Sequence, residues 1–172
     1  MRGVYRRADR RFRPWKNGGG ETAEIVVSPA GAGIDDFDWR ISTAVVAADG
    51  PFSVFPGVDR VLAVIEGAMV LTMDGVPHRL SADSAPLAFP GDLPCEARVE
   101  SAVLDFNVMV RRPLRARVTR GPLVLSGGRV RLALLLADAG GLERLDLVDL
   151  GAADPALLRT IEGTPALMVA LD

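Results

Sequence analysis

The chain has 172 residues, 49% hydrophobic but only 5% aromatic, which predicts one domain or two small packed halves with an aliphatic core. The net charge of -2 predicts neither nucleic-acid binding nor attraction to an anionic membrane surface. The single cysteine, Cys95, excludes an internal disulfide, and the single histidine, His78, excludes a metal site built from several histidines. With no apolar leader and no stretch long enough to cross a bilayer, the sequence predicts a cytoplasmic protein.

Short segments rich in Val, Ile, Leu and Thr recur between glycine and proline turns and predict many short strands. In chain order they are 22–28, 39–47, 60–67, 68–75, 87–92, 96–101, 104–112, 122–126, 130–137, 144–151 and 166–172. This even spacing indicates an all-β sandwich or barrel. One short helix or turn is predicted over 154–163, where Asp154 can cap and Pro155 suits the first helical position.

Two turn signals stand out between the predicted strands. Asp74-Gly75 separates "VLTM" from "VPHRL" and favours a type I′ hairpin, because both residues tolerate positive φ. Asp49-Gly50-Pro51 is a second turn signal. In addition, "VIEGAMVLTM" (64–73) and "TIEGTPALMVAL" (160–171) share Ile-Glu-Gly before an apolar run, a short echo compatible with two related halves.

Glu66-Gly67, Asp74-Gly75 and Pro90-Gly91 follow one another within residues 59–97. This order of turns resembles the core of the cupin superfamily, a jelly-roll fold. The resemblance puts the usual metal-ligand positions of cupins near Val54, Pro56, Arg60 and Cys95. These residues cannot rebuild a metal site, so we expect no metal and no cofactor, and a guanidinium in place of a ligand favours an anion site.

Longer motifs point to one particular family within this superfamily. "WKNGGGETAEI" (15–25), "FDWRISTAVVAADGPFSVFPGVDR" (37–60), "VIEG" (64–67), "FPGD" (89–92) and "DFNVMVRR" (105–112) together resemble the HutD/Ves family of two-cupin proteins. The resemblance is strong over residues 1–112 and weak beyond. It implies an all-β bicupin, with two jelly-roll β-barrel halves in one compact unit spanning 1–172. The central half would cover roughly 50–112, and the N-terminal strands with 113–172 would form the second.

Strand alternation separates the polar residues into one-sided sets. Arg40 and Ser42 share a face of one predicted strand, and Asn107 and Met109 share a face of another. Arg60 takes the pocket-facing position that the cupin resemblance implies. These five residues are therefore candidate ligand-binding residues, although a polar face can equally point to solvent.

An arginine inside a barrel needs compensation, because an unpaired buried charge is costly. Asp59, Glu66, Asp92 and Asp105 are candidate partners, so Arg60 or Arg40 could instead form a structural ion pair. Sequence leaves the two alternatives open.

Three further residues complete the candidate site. Cys95 is a pocket-lining candidate under the cupin resemblance, with an inert core position as the alternative. The run "WKNGGG" does not fit a phosphate loop, because its lysine precedes the glycines and a strand follows. Three glycines permit a tight turn that would bring Lys16 and Asn17 over the barrel mouth beside Arg60, with a turn packed under Trp15 and Lys16 in water as the alternative. Lys16 is the only lysine in the chain.

The family resemblance implies a non-enzymatic protein that regulates histidine utilisation by binding a small carboxylate such as urocanate or N-formylglutamate. One alternative is a metal-independent isomerase or lyase that uses Asp105 or Glu66 as its acid-base group. Another is an interaction module with a vestigial pocket. The exposed sheet edges of such a fold also leave a homodimer open.

Overall fold

The computed structural model describes residues 1–125 and 130–172, most of which form antiparallel strands. The strands are β1 (Val4–Tyr5), β2 (Arg13–Pro14), β3 (Gly20–Ser28), β4 (Trp39–Val46), β5 (Gly50–Phe52), β6 (Val58–Met73), β7 (Val76–Ser81), β8 (Leu87–Pro90), β9 (Cys95–Arg111), β10 (Ala116–Pro122), β11 (Val130–Leu135), β12 (Leu147–Asp149) and β13 (Pro165–Leu171). The described part also contains a 3-10 turn, Arg7–Asp9, and one helix, α1 (Pro155–Ile161).

The chain divides into two compact units. The central unit comprises residues 11–115, and the terminal unit comprises residues 1–10 and 116–172. The N-terminal strands are divided between them: β1 pairs in the terminal unit, whereas β2, β3 and β4 join the central sheet. This differs from the grouping with the second half that the family resemblance implied, because β4 pairs with β9 of the central sheet and β3 pairs with β4.

The central unit contains an eight-stranded sheet in the order β2-β3-β4-β9-β6-β7, with β5 paired to β9 and β8 to β6. Its two longest strands, β6 and β9, each join two segments predicted as separate strands. The register shifts between Val64 and Met69, around the positive φ of Gly67, so the strand bends there without ending.

The predicted Asp74-Gly75 hairpin is confirmed. β6 ends at Met73, β7 begins at Val76, and φ is 48° at Asp74 and 75° at Gly75. Positive φ at both central residues is the requirement of a type I′ turn. His78 lies on β7, the outermost strand beside β6, where it is paired with Leu71.

The terminal unit contains a five-stranded sheet in the order β1-β12-β11-β13-β10. Helix α1 begins as predicted, with Pro155 in its first turn and the Asp154 carboxylate accepting a hydrogen bond from the Ala156 backbone N–H at 2.7 Å. Ile161 at its end is buried in a core with Leu135 and Ala166.

The first residues attach to the terminal unit through Asp146, whose side chain is buried. The carboxylate accepts hydrogen bonds from Arg6 Nη1 at 2.9 Å, from the Arg7 backbone N–H at 2.7 Å and from the Glu143 backbone N–H at 3.1 Å. A buried carboxylate needs such partners.

Strand β10 was not predicted, because in "ARVTRGP" only Val118 is buried and the alternating residues are polar. Of the predicted strand 122–126, only Pro122 belongs to a strand, and Ser126 lies outside the described residues. No helix within residues 1–125 and 130–172 is long and apolar enough to cross a membrane.

Candidate functional site

The triglycine run forms the turn between β2 and β3. The Trp15 backbone N–H donates to the Gly20 carbonyl at 2.8 Å, and the Gly19 N–H donates to Asn17 Oδ1 at 2.9 Å. Gly18 has φ 72°, and a Cβ on Gly20 would overlap the Val45 carbonyl oxygen. The glycines therefore allow the backbone to turn against β4.

Three neighbouring strands supply the wall beneath this turn. β9 lies between β4 and β6, and Met109 is paired with Arg40 on one side and Arg60 on the other. Two residues along, Asn107 is paired with Ser42 and Leu62. Because directly paired residues share a face of an antiparallel sheet, both polar rows point to the same side.

That side opens into a cavity of about 560 Å³. It is lined by Pro14, Trp15, Lys16, Asn17, Thr22, Arg40, Ser42, Ala44, Pro51, Phe52, Ser53, Phe55, Arg60, Asp105, Asn107 and Met109. The structure thus brings together all of the predicted site residues except Cys95. Lys16 and Asn17 are exposed at the turn, whereas Ser42, Arg60, Asn107 and Met109 are buried.

Arg60 is the most deeply buried cation of the cavity, with 6% of its surface exposed. Its Cζ lies 5.7, 5.4 and 5.2 Å from the ring centroids of Phe52, Phe55 and Phe89. Each such contact contributes about 0.5–2 kcal/mol and compensates in part for lost hydration. The aromatic rings therefore hold the guanidinium at the cavity wall.

The polar contacts of Arg60 are two long hydrogen bonds to neutral oxygens. Nε donates to Asn107 Oδ1 and Nη1 donates to the Ser53 carbonyl, both at 3.4 Å. Among residues 1–125 and 130–172, no carboxylate lies within 4 Å of its guanidinium nitrogens. Burial lowers the pKa of Arg60, opposed by the nearby Cys95 and Asp105.

The suggested partners of Arg60 have other contacts. Asp59 and Asp92 both pair with Arg112, the former at 3.5 Å. Asp105 is fully buried, and its Oδ1 accepts a hydrogen bond from the Ala44 backbone N–H at 3.1 Å. Burial raises the pKa of Asp105 to about 7, while the Arg60 charge and the Ala44 N–H act in the opposite direction.

Arg40, by contrast, has a carboxylate partner. Its Nε donates to Glu24 Oε2 at 2.9 Å, and this pair joins strands β4 and β3. The ion-pair alternative therefore describes Arg40, whereas Arg60 has no carboxylate within 4 Å in the described part of the chain.

A family model described as HutD matches residues 7–158, most of the chain. The chain belongs to the HutD family.

Named relatives agree with this assignment. The HutD-family chain is 36% identical to Protein Ves of Cronobacter sakazakii over 130 residues, which cover 73% of this chain and 70% of that protein. It is 35% identical to Protein Ves of Citrobacter koseri over 147 residues, 80% and 75% of the two chains. An uncharacterised 21.2 kDa protein in the hutC 3′ region of Pseudomonas putida is 40% identical over 106 residues, 60% and 55% of the chains.

Two solved structures match along nearly the whole length of the HutD-family chain. HutD from Pseudomonas fluorescens SBW25 has a TM-score of 0.78 and 31% identity, covering 99% of this chain and 98% of that one. A conserved protein of unknown function from Pseudomonas aeruginosa PAO1 has a TM-score of 0.79 and 29% identity, covering 100% and 99%. These matches confirm the predicted all-β fold along the chain, whose two compact units each contain an antiparallel sheet.

Cys95 lies elsewhere than predicted in this HutD-family fold. It is buried in a core cluster with Leu62, Met73 and Phe89 and does not line the cavity. Burial raises the pKa of its thiol, opposed by Arg60, so the neutral form is favoured. The alternative of an inert core position therefore describes Cys95, because a neutral thiol packs like a small hydrophobic group.

The part of the chain that the structure describes offers no set of metal-binding side chains. No group of three His, Cys, Asp or Glu side chains there could hold an ion. Of the positions implied by the cupin resemblance, Val54 and Pro56 are exposed, and neither lines the cavity.

The aromatic wall is the part of the site that sequence reasoning missed. Phe52 and Phe55 come from "PFSVFPG", and Trp15 packs edge-on against Phe52 with ring centroids 5.9 Å apart. Trp15 Nε1 also donates to Thr22 Oγ1 at 2.7 Å. The chain has only six phenylalanines, and two of them, Phe52 and Phe55, come shortly before Arg60. This spacing was the sequence signal for an aromatic wall.

Proposed function

We propose that this HutD-family protein binds a small carboxylate in the central cavity and regulates histidine utilisation through it. The observation that carries the proposal is the buried Arg60, whose described polar partners are two neutral oxygens. A planar guanidinium can form a bidentate pair with a carboxylate, and low hydration strengthens that pair. An anion is therefore the ligand type that best complements this wall.

The other walls indicate the remainder of the ligand. Ser42 and Asn107 lie next to each other on paired strands and offer hydroxyl and amide groups. Trp15, Phe52 and Phe55 offer flat apolar surface. A small planar or unsaturated acid suits this combination better than a sugar or a nucleotide. Lys16, exposed at the rim, supplies a second positive charge.

Urocanate and N-formylglutamate are the acids that we propose to test first. The support comes from the HutD family and from a Pseudomonas putida relative that is described by its position in the hutC 3′ region. Both acids carry the carboxylate that the cavity would bind.

A melting experiment tests the binding step. A ligand present at 100 times its Kd stabilises by about 2.7 kcal/mol, which for a chain of this size raises Tm by roughly 5–10 °C. We expect this rise with one of the two acids, and its loss in Arg60→Met, which keeps a long apolar side chain between the rings. Arg79→Met is the matched control, because Arg79 pairs with Glu100 on the surface.

Absence of any Tm change at millimolar concentration of either acid would refute the carboxylate ligands named here. Retention of the full shift in Arg60→Met would refute the role of Arg60.

One observation favours a second function, that of a metal-independent isomerase or lyase. Asp105 lines the cavity, and burial raises its pKa to about 7, a value suited to general acid-base catalysis near neutral pH. This function requires turnover of a bound acid in the presence of a chelator. It also requires loss of turnover in Asp105→Asn with binding retained.

A further inference from the structure

The terminal unit contains a second cavity, of about 300 Å³, beside the five-stranded sheet. Ala170 on β13 is paired with Arg117 on β10 and with Arg131 on β11. Directly paired residues share a face, so the two arginines flank one methyl group on the same side of the sheet. Neighbouring strands lie about 4.8 Å apart, which puts the Cα atoms of the two arginines about 10 Å apart.

Both guanidinium charges are uncompensated within residues 1–125 and 130–172. Neither side chain has a hydrogen bond or ion pair there, and none of the residues that line this cavity is acidic. Arg117 is exposed and Arg131 is half-buried. Two like charges at this spacing repel each other, and an anion between them would turn the repulsion into two attractions.

The remaining walls are nearly all apolar. Val124, Leu150 and Met168 contribute hydrocarbon or thioether surface, and Thr119 contributes the single hydroxyl of the lining. Such walls complement an apolar body attached to the charged group and give little to hold a sugar or a polyphosphate.

The same arrangement occurs in the central unit. There Met109 is flanked by Arg40 and Arg60, as Ala170 is flanked by Arg117 and Arg131. Two residues after the first arginine, each unit has a hydroxyl side chain that lines its cavity.

These hydroxyl residues are Ser42 and Thr119. They are paired with Asn107 in the central unit and with Met168 in the terminal unit. The terminal cavity thus keeps the arginines and the hydroxyl but replaces an amide by a thioether.

We propose that the terminal unit carries a second binding site, specific for a small carboxylate with an apolar body. The carboxylate lies between Arg117 and Arg131 and accepts a hydrogen bond from the Thr119 hydroxyl. The apolar body packs against Met168 and Val124. The site is independent of the ligand proposed for the central cavity.

Backbone amide NMR of the full chain tests this site, with benzoate as the probe. We expect saturable shifts at Thr119, Met168 and Ala170 at millimolar concentration or below. Exchanging both arginines, Arg117→Gln with Arg131→Gln, should weaken the Kd read at these amides at least tenfold, because two charge-assisted hydrogen bonds are lost.

The matched control exchanges two exposed arginines of the same unit that lie outside the cavity, Arg2→Gln with Arg159→Gln. It should leave the Kd unchanged, and the amide spectra of both double variants report directly whether the fold is intact.

The outcomes separate this site from the central one. Shifts confined to amides around Arg60 would overturn the second site and leave the central proposal standing. Equal shifts with neutral benzamide would overturn the charge recognition. Equal weakening in both double variants would overturn the assignment to Arg117 and Arg131.

Discussion

Arg60 and Asp105 are two buried ionisable residues of one cavity that do not form a direct ion pair. Arg60 is paired with Met109, and Asp105 is paired with Val64, so the two lie on different rows of the same sheet. Burial lowers the pKa of the first and raises that of the second, and each charge partly offsets the shift of the other. A bound anion beside Arg60 would favour protonated Asp105.

Asp105 should make the stability of the protein depend on pH. Its folded pKa of about 7 exceeds the usual unfolded value of about 3.9, so the folded state holds the proton more tightly between these values. This contribution to stability is fully present below about pH 4 and is lost as the pH rises through 7. Between pH 5 and pH 8 the loss amounts to about 3 kcal/mol.

Urea unfolding of the protein and of Asp105→Asn over this pH range measures the effect. Asparagine can still accept the hydrogen bond from the Ala44 backbone N–H but does not titrate. The contributions of the other titratable groups cancel when the unfolding free energies of the two proteins are subtracted. A difference between the two proteins that stays constant from pH 5 to pH 8 would contradict the raised pKa of Asp105.

At the scale of elements, Gly67 lets β6 continue through a bend. Its φ is 77°, and a Cβ there would overlap the carbonyl oxygen of Ala102 on β9. Gly75 in the hairpin has φ 75° but nothing within 4 Å of an added Cβ. The two glycines therefore share a positive φ but differ in the space around them.

Gly67→Ala should consequently destabilise the protein more than Gly75→Ala. The positive φ costs about 1–2 kcal/mol at either position. The overlap with backbone at Gly67 should bring the total to about 3 kcal/mol or more. Urea unfolding of both variants measures the two losses of unfolding free energy. Equal losses would contradict the prediction, because the backbone of β9 would then shift to accept the added Cβ without destabilising the fold.

Alternation within strands predicted which polar residues share a face, and the cupin resemblance predicted that Arg60 faces the pocket. The period of two put Arg40 with Ser42 and Asn107 with Met109, and the structure joins both sets on one wall. The ring contacts of Arg60 were not predictable in this way. Phe55 lies in a loop without periodicity, and Phe89 reaches Arg60 only through the pairing of β8 with β6.

At the scale of the whole molecule, the internal similarity is in strand pairing more than in sequence. The similar segments 64–73 and 160–171 lie in different structural elements: Gly67 is inside a strand, whereas Gly163 follows helix α1. The correspondence seen in the pairing is between the row of Arg40, Met109 and Arg60 and the row of Arg117, Ala170 and Arg131. Short sequence identity cannot detect it, because pairing joins residues far apart in the chain.

The two cavities should respond differently to salt, since the whole chain has a net charge of -2 and attracts anions only through local charges. Arg60 is buried and therefore poorly screened, whereas Arg117 is exposed. The Debye length falls from about 10 Å at 0.1 M salt to about 3 Å at 1 M.

Raising NaCl over this range should weaken benzoate binding at the Ala170 amide about fivefold or more. A carboxylate bound beside Arg60 should lose about twofold or less in the same NMR titration. Equal salt dependence at the two cavities would show that burial of Arg60 does not shield its interaction with the anion.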